Sequence, residues 1–597
     1  MQTADPSSDP QRDPPHDSDV AQQLRRFTSL MGRAQQAMLE FWTKQGSAPP
    51  PTMPASATSM ATAWTEAAAA MFADPERLAA MQGEYWRQAL GLWANVTGVG
   101  AKTPLADQAD KDKRFKGDAW REQPVFDFIR QAYLLTARFV LDAAGQAQGQ
   151  DADERQRSLF YTRQFVDAMS PSNFAALNPE VLKAAVDSDG EALMRGLEHM
   201  LADLEGGRLT MVDANAFEVG RNIAATPGKV VFESRLFQLI QYTPTTERVH
   251  ALPLLIFPPW INKFYILDLT PEKSFIRWAV AQGLSVFVVS WRNPGRELAD
   301  ATIDTYVCEG LIEAVHRVLA ATGTASTHTV GYCVAGTTLA ATLAMLAARG
   351  QAALIETATF FTAQVDFEDA GELKVFIDDT QLNAIEELTR ETGYLDGKYM
   401  AGTFNLLRSN DLIWNYVVNN YMLGKDYLAF DLLFWNADST NVPGTWHASY
   451  LKDFYRDNRL ARAGGIVVDG TPIDLAAVHT PAYVQAGKED HIAPARSVYH
   501  ITHHFTGPLR FILAGSGHIA GVVNPPSSGK YNYWSREGVL PATLDAFVTG
   551  ATETKGSWWP DWLAWLAPHL GGEVPARDPG PGIEDAPGRY VREIVTG

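Results

Sequence analysis

Between residues 252 and 361, this 597-residue chain alternates short apolar runs with segments of helical periodicity. The apolar runs, each fit for a strand buried on both faces, are Leu252–Phe257, Ser285–Trp291, Thr327–Tyr332 and Ile355–Phe361. The helical segments between them are Ser274–Gln282, Thr305–Thr322 and Val334–Arg349. The alternation resumes later, at Pro481–Gln485, Pro494–Phe505 and Leu509–Leu513. This pattern predicts βαβ units and a largely parallel sheet, an α/β fold.

The long break in the alternation predicts an inserted cap. Residues Asp366–Tyr450 are irregular and rich in aromatic side chains, so we expect a cap or lid over about 366–450. Upstream, the first third of the chain is mainly helical in pattern. The predicted helical segments there are Val20–Lys44, Ala63–Gly98, Val125–Ala144, Ser158–Met169 and Pro179–Glu205. The expected organisation is a disordered tail (1–19), a helical domain (20–215) with a Pro-rich linker (46–62), and a catalytic domain (216–597).

Composition excludes several classes of function. The net charge of −19 opposes general nucleic-acid binding, which requires a basic face. Two cysteines cannot build a disulfide scaffold, and they suit a reducing compartment. The first residues lack the basic and apolar regions of a signal peptide, and no apolar run approaches the ~20 residues of a membrane span. We therefore expect a cytoplasmic protein with no transmembrane segment.

The sharpest motif is Gly331–Gly336, placed between a predicted strand and a predicted helix. It has the pattern of a nucleophile elbow, with Cys333 in place of serine and Ala335 where the pattern has glycine. Such a turn presents the nucleophile at the top of a sheet, and the helix dipole favours the thiolate. The backbone N–H of Val334 would be one oxyanion donor. The alternative is that Cys333 is an ordinary buried thiol, as expected for Cys308 within its helical run.

The second oxyanion donor is expected in the loop after the strand that ends at Phe257. Two prolines there lack an N–H, so the next donors belong to Trp260 and Ile261. We favour Ile261, with a purely structural turn as the alternative.

An acid and a histidine follow the cap in the order that a hydrolase-type triad requires. Asp490 follows one predicted strand, with Glu489 as a competing acid. His518 follows the last predicted strand, between glycines, with His491 and His479 as competitors. Nucleophile, acid and histidine, each after its own strand, predict an α/β-hydrolase fold with an inserted cap, preceded by the helical domain.

A cluster of tryptophans near the C-terminus has two interpretations. Trp558, Trp559, Trp562 and Trp565 lie around Pro560, a plausible helix start. The cluster would either contact an apolar polymer surface or, as is more usual at helical spacing, pack a helix on the sheet.

Taken together, the chain resembles class I polyhydroxyalkanoate synthases, which act on short-chain 3-hydroxyacyl-CoA. The resemblance covers most of the chain from about Val125. The matching blocks are Pro258–Lys263, Ser290–Pro294, Gly331–Gly336, Phe434–Asn436, Gly487–Ile492 and Gly517–Ile519. By resemblance, Cys333 is the nucleophile, His518 the general base and Asp490 the third member, either orienting His518 or activating a hydroxyl. Trp435, and Asn262 in the first block, would lie at the entrance.

The resemblance also implies the reaction and the partners. The expected activity is polymerisation of (R)-3-hydroxyacyl-CoA, above all 3-hydroxybutyryl-CoA, into polyester with release of CoA. No cofactor or metal is implied, because coenzyme A is part of the substrate. A homodimer, the surface of polyester granules and granule-associated proteins are the implied partners. The alternatives are a thioesterase or intracellular polyester depolymerase on the same fold, and a non-enzymatic granule-coating protein.

Overall fold

The computed structural model describes residue 65 and residues 74–97, 112–145, 151–206 and 209–593. The predicted tail 1–19, the predicted helix 20–44 and the linker 46–62 lie outside the described residues. Within the ranges just given, no helix combines the length and apolar character needed to cross a bilayer. The domain limits named above stay predictions.

Helices precede the sheet and then alternate with its strands. In the first third they are α1 (Pro75–Thr97), α2 (Ala119–Glu122), α3 (Pro124–Gly145), α4 (Ala152–Ala168), α5 (Pro179–Asp187) and α6 (Glu191–Gly206). Those that follow are α7 (Phe275–Ala281), α8 (Ile303–Thr305), α9 (Glu313–Thr322), α10 (Val334–Ala348), α11 (Asp379–Thr389), α12 (Gly397–Leu407), α13 (Asp431–Ala437), α14 (Gly444–Ser449), α15 (Ala495–Tyr499), α16 (Ile501–His504), α17 (Leu544–Gly550) and α18 (Trp559–Leu566).

The strands begin where the helical region ends. The first nine are β1 (Gly228–Glu233), β2 (Phe237–Tyr242), β3 (Arg248–His250), β4 (Leu254–Phe257), β5 (Val286–Trp291), β6 (Thr327–Tyr332), β7 (Ile355–Phe361), β8 (Tyr394–Leu395) and β9 (Val442–Pro443). The others are β10 (Val467–Val468), β11 (Thr471–Pro472), β12 (Ala482–Gly487), β13 (Leu509–Ala514), β14 (Asn532–Ser535), β15 (Thr552–Lys555), β16 (Glu573–Pro575) and β17 (Glu584–Asp585).

Eleven strands form one mixed sheet, in the order β15-β14-β13-β12-β7-β6-β4-β5-β2-β1-β17. The central strands from β13 to β5 pair in parallel, and the strands at both edges pair antiparallel. Every central strand predicted from its apolar run is present, with bounds within two residues of the prediction. The parallel sheet is therefore confirmed.

Helices cover both faces of the sheet. Leu255 and Phe287 belong to one apolar cluster, which also holds Leu339 of α10. Their strand neighbours Ile256 and Val288 belong to a second cluster, which holds Trp559 of α18. Because successive side chains of a strand point to opposite faces, two clusters are expected for a sheet buried on both sides.

Three predicted helical segments differ in detail. The segment 179–205 is two helices, because Asp189 and Gly190 adopt positive φ angles of 50° and 87° between α5 and α6. The segment 494–505 is likewise divided, into α15 and α16. The segment 305–322 contains a wider π-helical turn at Tyr306–Ile312, in which Gly310 packs against the ring of Trp291.

The chain between β7 and β12 leaves the sheet and forms the cap. It holds α11 to α14 and three π-helical turns, Asn410–Trp414, Val417–Met422 and Tyr450–Arg456. Its two ends are joined, because Asn458 donates a hydrogen bond of 2.8 Å from Nδ2 to Oδ1 of Asp366. The cap therefore leaves and re-enters the sheet domain at one place.

Candidate active site

Cys333 lies on a strained turn between β6 and α10. Its backbone has φ 53° and ψ −125°, a conformation that residues other than glycine rarely adopt. Such strain persists only where the surroundings impose it, and it is frequent at functional sites. Here the N–H of Cys333 donates to the carbonyl of Phe361 at the end of β7, which fixes the turn at the sheet edge.

The close backbone approach of this elbow involves Gly331 and Gly336. A Cβ on Gly331 would lie 2.6 Å from Cα of Gly336, and a Cβ on Gly336 would lie 2.4 Å from Cβ of Ala363. Ala335, which stands where the elbow pattern has glycine, is fully buried in the core, so its methyl group is accommodated there.

His518 and Asp490 lie together at the carboxyl edge of the sheet. The ring Nδ1 of His518 is 2.7 Å from Oδ2 of Asp490. The other carboxylate oxygen, Oδ1, accepts hydrogen bonds from the N–H groups of Ile492 (2.8 Å) and Ala493 (2.9 Å). Both oxygens of this fully buried carboxylate are thus held in place, as required for an orienting acid.

The imidazole of His518 also lies beside Cys333, and the two share one cavity wall, so the three predicted residues come together. Burial by itself lowers the pKa of His518, but the neighbouring Asp490 carboxylate and Cys333 sulfur outweigh burial and raise this pKa above its ordinary value. The ring of His518 thus lies close enough to Asp490 and to the sulfur of Cys333 for both to act on its protonation.

Three aromatic donors fix the loop that carries His518. The hydroxyl of Tyr332 donates to the carbonyl of His518 at 2.9 Å. The indoles of Trp558 and Trp559 donate to the carbonyls of Gly521 (2.7 Å) and Val522 (2.9 Å). Sequence reasoning did not find these hydrogen bonds, because donors and acceptors are distant along the chain.

The tryptophan cluster is part of the core. The side chains of Trp558, Trp559 and Trp562 are at most 1% exposed, and they pack with Phe275 of α7. The core interpretation is confirmed, and a polymer contact through these three is wrong. Cys308 is partly buried and packs against the core, which accords with its structural interpretation, and burial raises the pKa of its thiol.

A cavity of about 400 Å³ lies between the cap and the sheet, with Cys333 and His518 in its wall. The cap contributes a mainly apolar wall, and sequence reasoning did not single out most of its residues. These are Met400, Ala401, Phe404, Arg408, Asp411, Leu412, Leu432, Leu433, Trp435, Asn436 and Ser439. The only available signal was the four-residue spacing of Met400, Phe404 and Arg408, which gives one face of a helix.

Of the two candidate oxyanion donors, Ile261 lies in the cavity wall and Val334 follows Cys333, which also lines the cavity. Val334 is the first residue of α10, so the helix itself does not use its N–H. Ile261 lines the cavity together with Pro259 and Asn262. The indole of Trp260 is instead buried and stacks on Tyr306 at 3.9 Å between ring centroids.

Of the competing residues, some share the cavity and some do not. Glu489 and His491 line it, whereas Asp490 does not. Burial lowers the pKa of His491, with Asp490 acting in the opposite direction. His479 lies elsewhere, bonded through Nδ1 to Thr506 Oγ1 at 2.8 Å. Among the described residues, no cluster of three or more His, Cys, Asp or Glu side chains is arranged to hold a metal ion.

The predicted entrance residue Trp435 is part of the cavity wall. Its side chain is 6% exposed, and its Nε1 donates to the carbonyl of Lys263 at 2.7 Å. Asn262, the other predicted entrance residue, also lines the cavity and accepts from the N–H of Lys263 through Oδ1. The structure thus places both in the wall of the same cavity as Cys333.

Comparison with known proteins agrees with this geometry. Two family models match: the N-terminus of poly-beta-hydroxybutyrate polymerase (PhaC) over residues 111–279, and the alpha/beta hydrolase fold over residues 250–525. A poly(3-hydroxyalkanoate) polymerase of Methylorubrum extorquens is 45% identical, over 94% of this chain and 93% of its own length. The PhaC subunit of the polymerase of Cupriavidus necator is 44% identical, over 87% and 89%. Polymerase 2 of Ectopseudomonas oleovorans is 39% identical, over 82% and 88%.

These matches confirm the predicted fold and the predicted family. The sheet with its inserted cap is an α/β-hydrolase fold. Similarity of this degree extends over nearly the whole length of the relatives, so it is not limited to one domain. The chain is therefore an enzyme, a polymerase of the acyltransferase type, and it belongs to the poly(3-hydroxyalkanoate) polymerase family.

Proposed function

We propose that this enzyme polymerises (R)-3-hydroxyacyl-CoA, with 3-hydroxybutyryl-CoA as the preferred substrate, through a covalent thioester on Cys333. The observation that carries the proposal is that Cys333 and His518 face one capped, mainly apolar cavity, with Asp490 bound to the ring of His518. The named relatives, which are polymerases of 3-hydroxyalkanoates, support the same substrate class.

The first step loads the acyl group onto the enzyme. Nε2 of His518 takes the thiol proton of Cys333, and the sulfur attacks the thioester carbonyl of the substrate. The N–H of Val334, with that of Ile261 as the second donor, would stabilise the negative oxygen of the tetrahedral intermediate. The intermediate collapses with cleavage of the carbon–sulfur bond to CoA, and the CoA sulfur leaves with the proton from His518.

The second step forms the ester bond of the polymer. The 3-hydroxyl of another acyl unit gives its proton to His518, and its oxygen attacks the thioester carbonyl on Cys333. The carbon–sulfur bond breaks, and the proton returns to the sulfur. Each cycle consumes one CoA thioester and forms one ester. A thioester intermediate retains the acyl-transfer potential of the substrate, which supports a cysteine at this position.

Asp490 acts through His518 in this proposal. Its carboxylate faces Nδ1 of the ring and does not line the cavity, so a substrate hydroxyl meets the imidazole first. Holding the proton on Nδ1 leaves Nε2 free to accept one. Asp490 is therefore a positioning residue, and the role of base belongs to His518.

Water must be kept from the acyl-enzyme, because hydrolysis of the thioester would release the growing polyester and stop its elongation. The cavity wall contributed by the cap is mainly apolar, with Phe404, Leu432 and Trp435 among its members. An apolar enclosure of this kind disfavours water beside the thioester. We assign that role to the cap, together with access of the substrate past Trp435 and Asn262.

The proposal includes the expected location and partners. The product is a water-insoluble polyester, and α1 exposes Trp86 (62%), Leu90 (66%) and Trp93 (58%) along one side. Exposed apolar side chains at this spacing suit contact with an apolar surface. We therefore propose that the enzyme acts in the cytoplasm at the surface of polyester granules, beside granule-associated proteins. We further propose that it does so as a homodimer.

The decisive experiment follows the products. Purified enzyme is incubated with 3-hydroxybutyryl-CoA, and free CoA, insoluble polyester and free 3-hydroxybutyrate are quantified together. We expect the moles of free CoA to equal the moles of monomer units in the polyester. Cys333→Ala should release no CoA, and the control Cys308→Ala should release CoA at the normal rate. Free 3-hydroxybutyrate as the sole acid product would establish a thioesterase, and turnover by Cys333→Ala would remove the nucleophile assignment.

A further inference from the structure

Lys263 is a buried cation at the point where the cap meets the sheet domain. Its side chain is 5% exposed, and its Nζ lies 2.7 Å from Oδ1 of Asp438, the residue directly after α13. The same ammonium donates to the main-chain carbonyl of Glu593 at 3.0 Å. A charged group this deeply buried requires such partners, so it joins the segments that carry them.

Asp438 has a second partner on the same side. The hydroxyl of Tyr265 donates to Oδ2 of Asp438 at 2.8 Å. Burial raises the pKa of Tyr265, and the charge of Asp438 raises it further, so the phenol remains a donor. Each oxygen of the Asp438 carboxylate is therefore bound by the segment that follows β4.

The backbone of Lys263 holds the middle of the same helix. Its carbonyl accepts the indole N–H of Trp435, whose ring lines the cavity. At the other end of α13, Asp431 is 4% exposed and pairs with Nζ of Lys273 at 2.8 Å. The helix that supplies Leu432, Leu433, Trp435 and Asn436 to the cavity wall is thus attached at both ends and at its centre.

We propose that Lys263 is a positioning residue that fixes α13 and thereby limits the size of the acyl side chain that the cavity admits. The three attachments leave α13 little freedom to move outward. Because Lys263 also binds the carbonyl of Glu593, the C-terminal segment helps to hold Lys263, and thereby α13, in place. The substrate aspect of this inference rests on the proposed function.

The test compares Lys263→Met, which keeps the length of the side chain and removes its charge, with Lys263→Arg, which retains a cation. Steady-state CoA release is measured with 3-hydroxybutyryl-CoA and with 3-hydroxyoctanoyl-CoA. For Lys263→Met, we expect the ratio of kcat/KM for the longer over the shorter substrate to rise on the order of tenfold. We expect Lys263→Arg to restore a ratio close to the wild-type value.

A matched control removes a Lys–Asp pair that is remote from the cavity. Lys229 of β1 pairs with Asp585 of β17 at the edge of the sheet. Lys229→Met should leave the ratio unchanged. A general loss of stability would lower kcat/KM for both substrates alike and would leave their ratio unchanged in either variant. An unchanged ratio in Lys263→Met would therefore overturn the proposal.

A second readout does not depend on turnover. Cys333 is alkylated with iodoacetamide and with the larger N-phenylmaleimide, and peptide mapping separates its labelling from that of Cys308. We expect Lys263→Met to raise the rate of the larger reagent relative to the smaller one. If the relative alkylation rate changes although the enzyme forms no polymer, the proposed function fails while the positioning role of Lys263 stands. Equal relative rates in wild type and Lys263→Met would refute the positioning role by itself.

A separate experiment tests the hydrogen bond between Lys263 and the C-terminal segment. Deleting residues 593–597 removes the Glu593 carbonyl that Lys263 binds. We expect this deletion to raise the alkylation ratio in the wild-type background and to add nothing in the Lys263→Met background, since both changes release the same hydrogen bond. Additive effects in the double variant would show that Glu593 acts independently of Lys263, which would overturn this link.

Discussion

Replacing Asp490 by asparagine tests how the acid acts on the site. In Asp490→Asn, the amide oxygen can keep the hydrogen bonds from the N–H groups of Ile492 and Ala493. The amide NH₂ then faces Nδ1 of His518, where the native carboxylate accepts. Nδ1 must become the acceptor, so the proton moves to Nε2. A ring protonated at Nε2 cannot take a proton from Cys333 or from a hydroxyl.

The size of the effect follows from the hydrogen bond between Asp490 and His518, which the substitution reverses. A charge-assisted hydrogen bond contributes about 1.5–3 kcal/mol, and a mispaired buried polar group costs about 1–3 kcal/mol. Together they give about 2.5–6 kcal/mol, which corresponds to a rate loss on the order of 10²–10⁴. We assign the full loss to elongation, because an aliphatic hydroxyl needs a strong base.

Acylation should suffer less. A thiol is a few per cent ionised at neutral pH without assistance, and its thiolate is a strong nucleophile. We therefore expect the loading of Cys333 to slow by about ten- to a hundredfold, against the larger loss in elongation. The measurement is rapid quench: the burst of CoA release reports loading, and the following steady phase reports elongation.

Asp268→Asn is the matched control. Asp268 is also a buried carboxylate, bonded to Thr226 and Ser274 and not among the residues of the cavity wall. Its variant should reduce stability but leave the ratio of the two phases unchanged per folded enzyme. Normal elongation in Asp490→Asn, or a loss confined to acylation, would refute the reasoning.

Two other predictions concern stability. Gly336→Ala would bring the new methyl group into collision with Cβ of Ala363, and overpacking of this kind should lower the free energy of unfolding by about 1–3 kcal/mol. The measurement is thermal denaturation, with Gly402→Ala as the control, because a Cβ on Gly402 would meet no neighbouring side chain within 4 Å. Equal melting temperatures for the two variants would contradict the prediction. At the root of the cap, burial acts to raise the pKa of Asp366, but the rings of His500 and His504, whose nearest nitrogens lie 3.7 and 3.1 Å from Oδ2, lower it overall. Asp366 in turn raises the pKa of His500. The contribution of Asp366 is lost as pH falls below its ordinary value, and that of His500 is lost as pH rises above its own. The pair should thus stabilise the fold fully between about pH 4 and 6.5 and less on either side. Asp366→Asn should flatten this profile in melts recorded across pH, and an unaltered profile would exclude the pair.

The order of the elements and the identity of the reacting groups follow from the sequence. A strand buried on both faces needs an unbroken apolar run, and this local requirement places β4, β5, β6 and β7 within two residues. The predicted residues Cys333, Asp490 and His518 each follow a strand of a parallel sheet. Strands of such a sheet end at one edge, so their meeting was a consequence of topology.

Only the tertiary structure decided the rest, because it depends on packing between residues far apart along the chain. No local pattern indicates that Gly336 meets Ala363, or that Trp558 holds the loop of His518. The cavity wall is of the same kind, since Lys263 and Asp438 are separated by 175 positions and neither has a neighbour that predicts the pair. Periodicity reports which face of an element is buried; what it is buried against is decided when the elements pack.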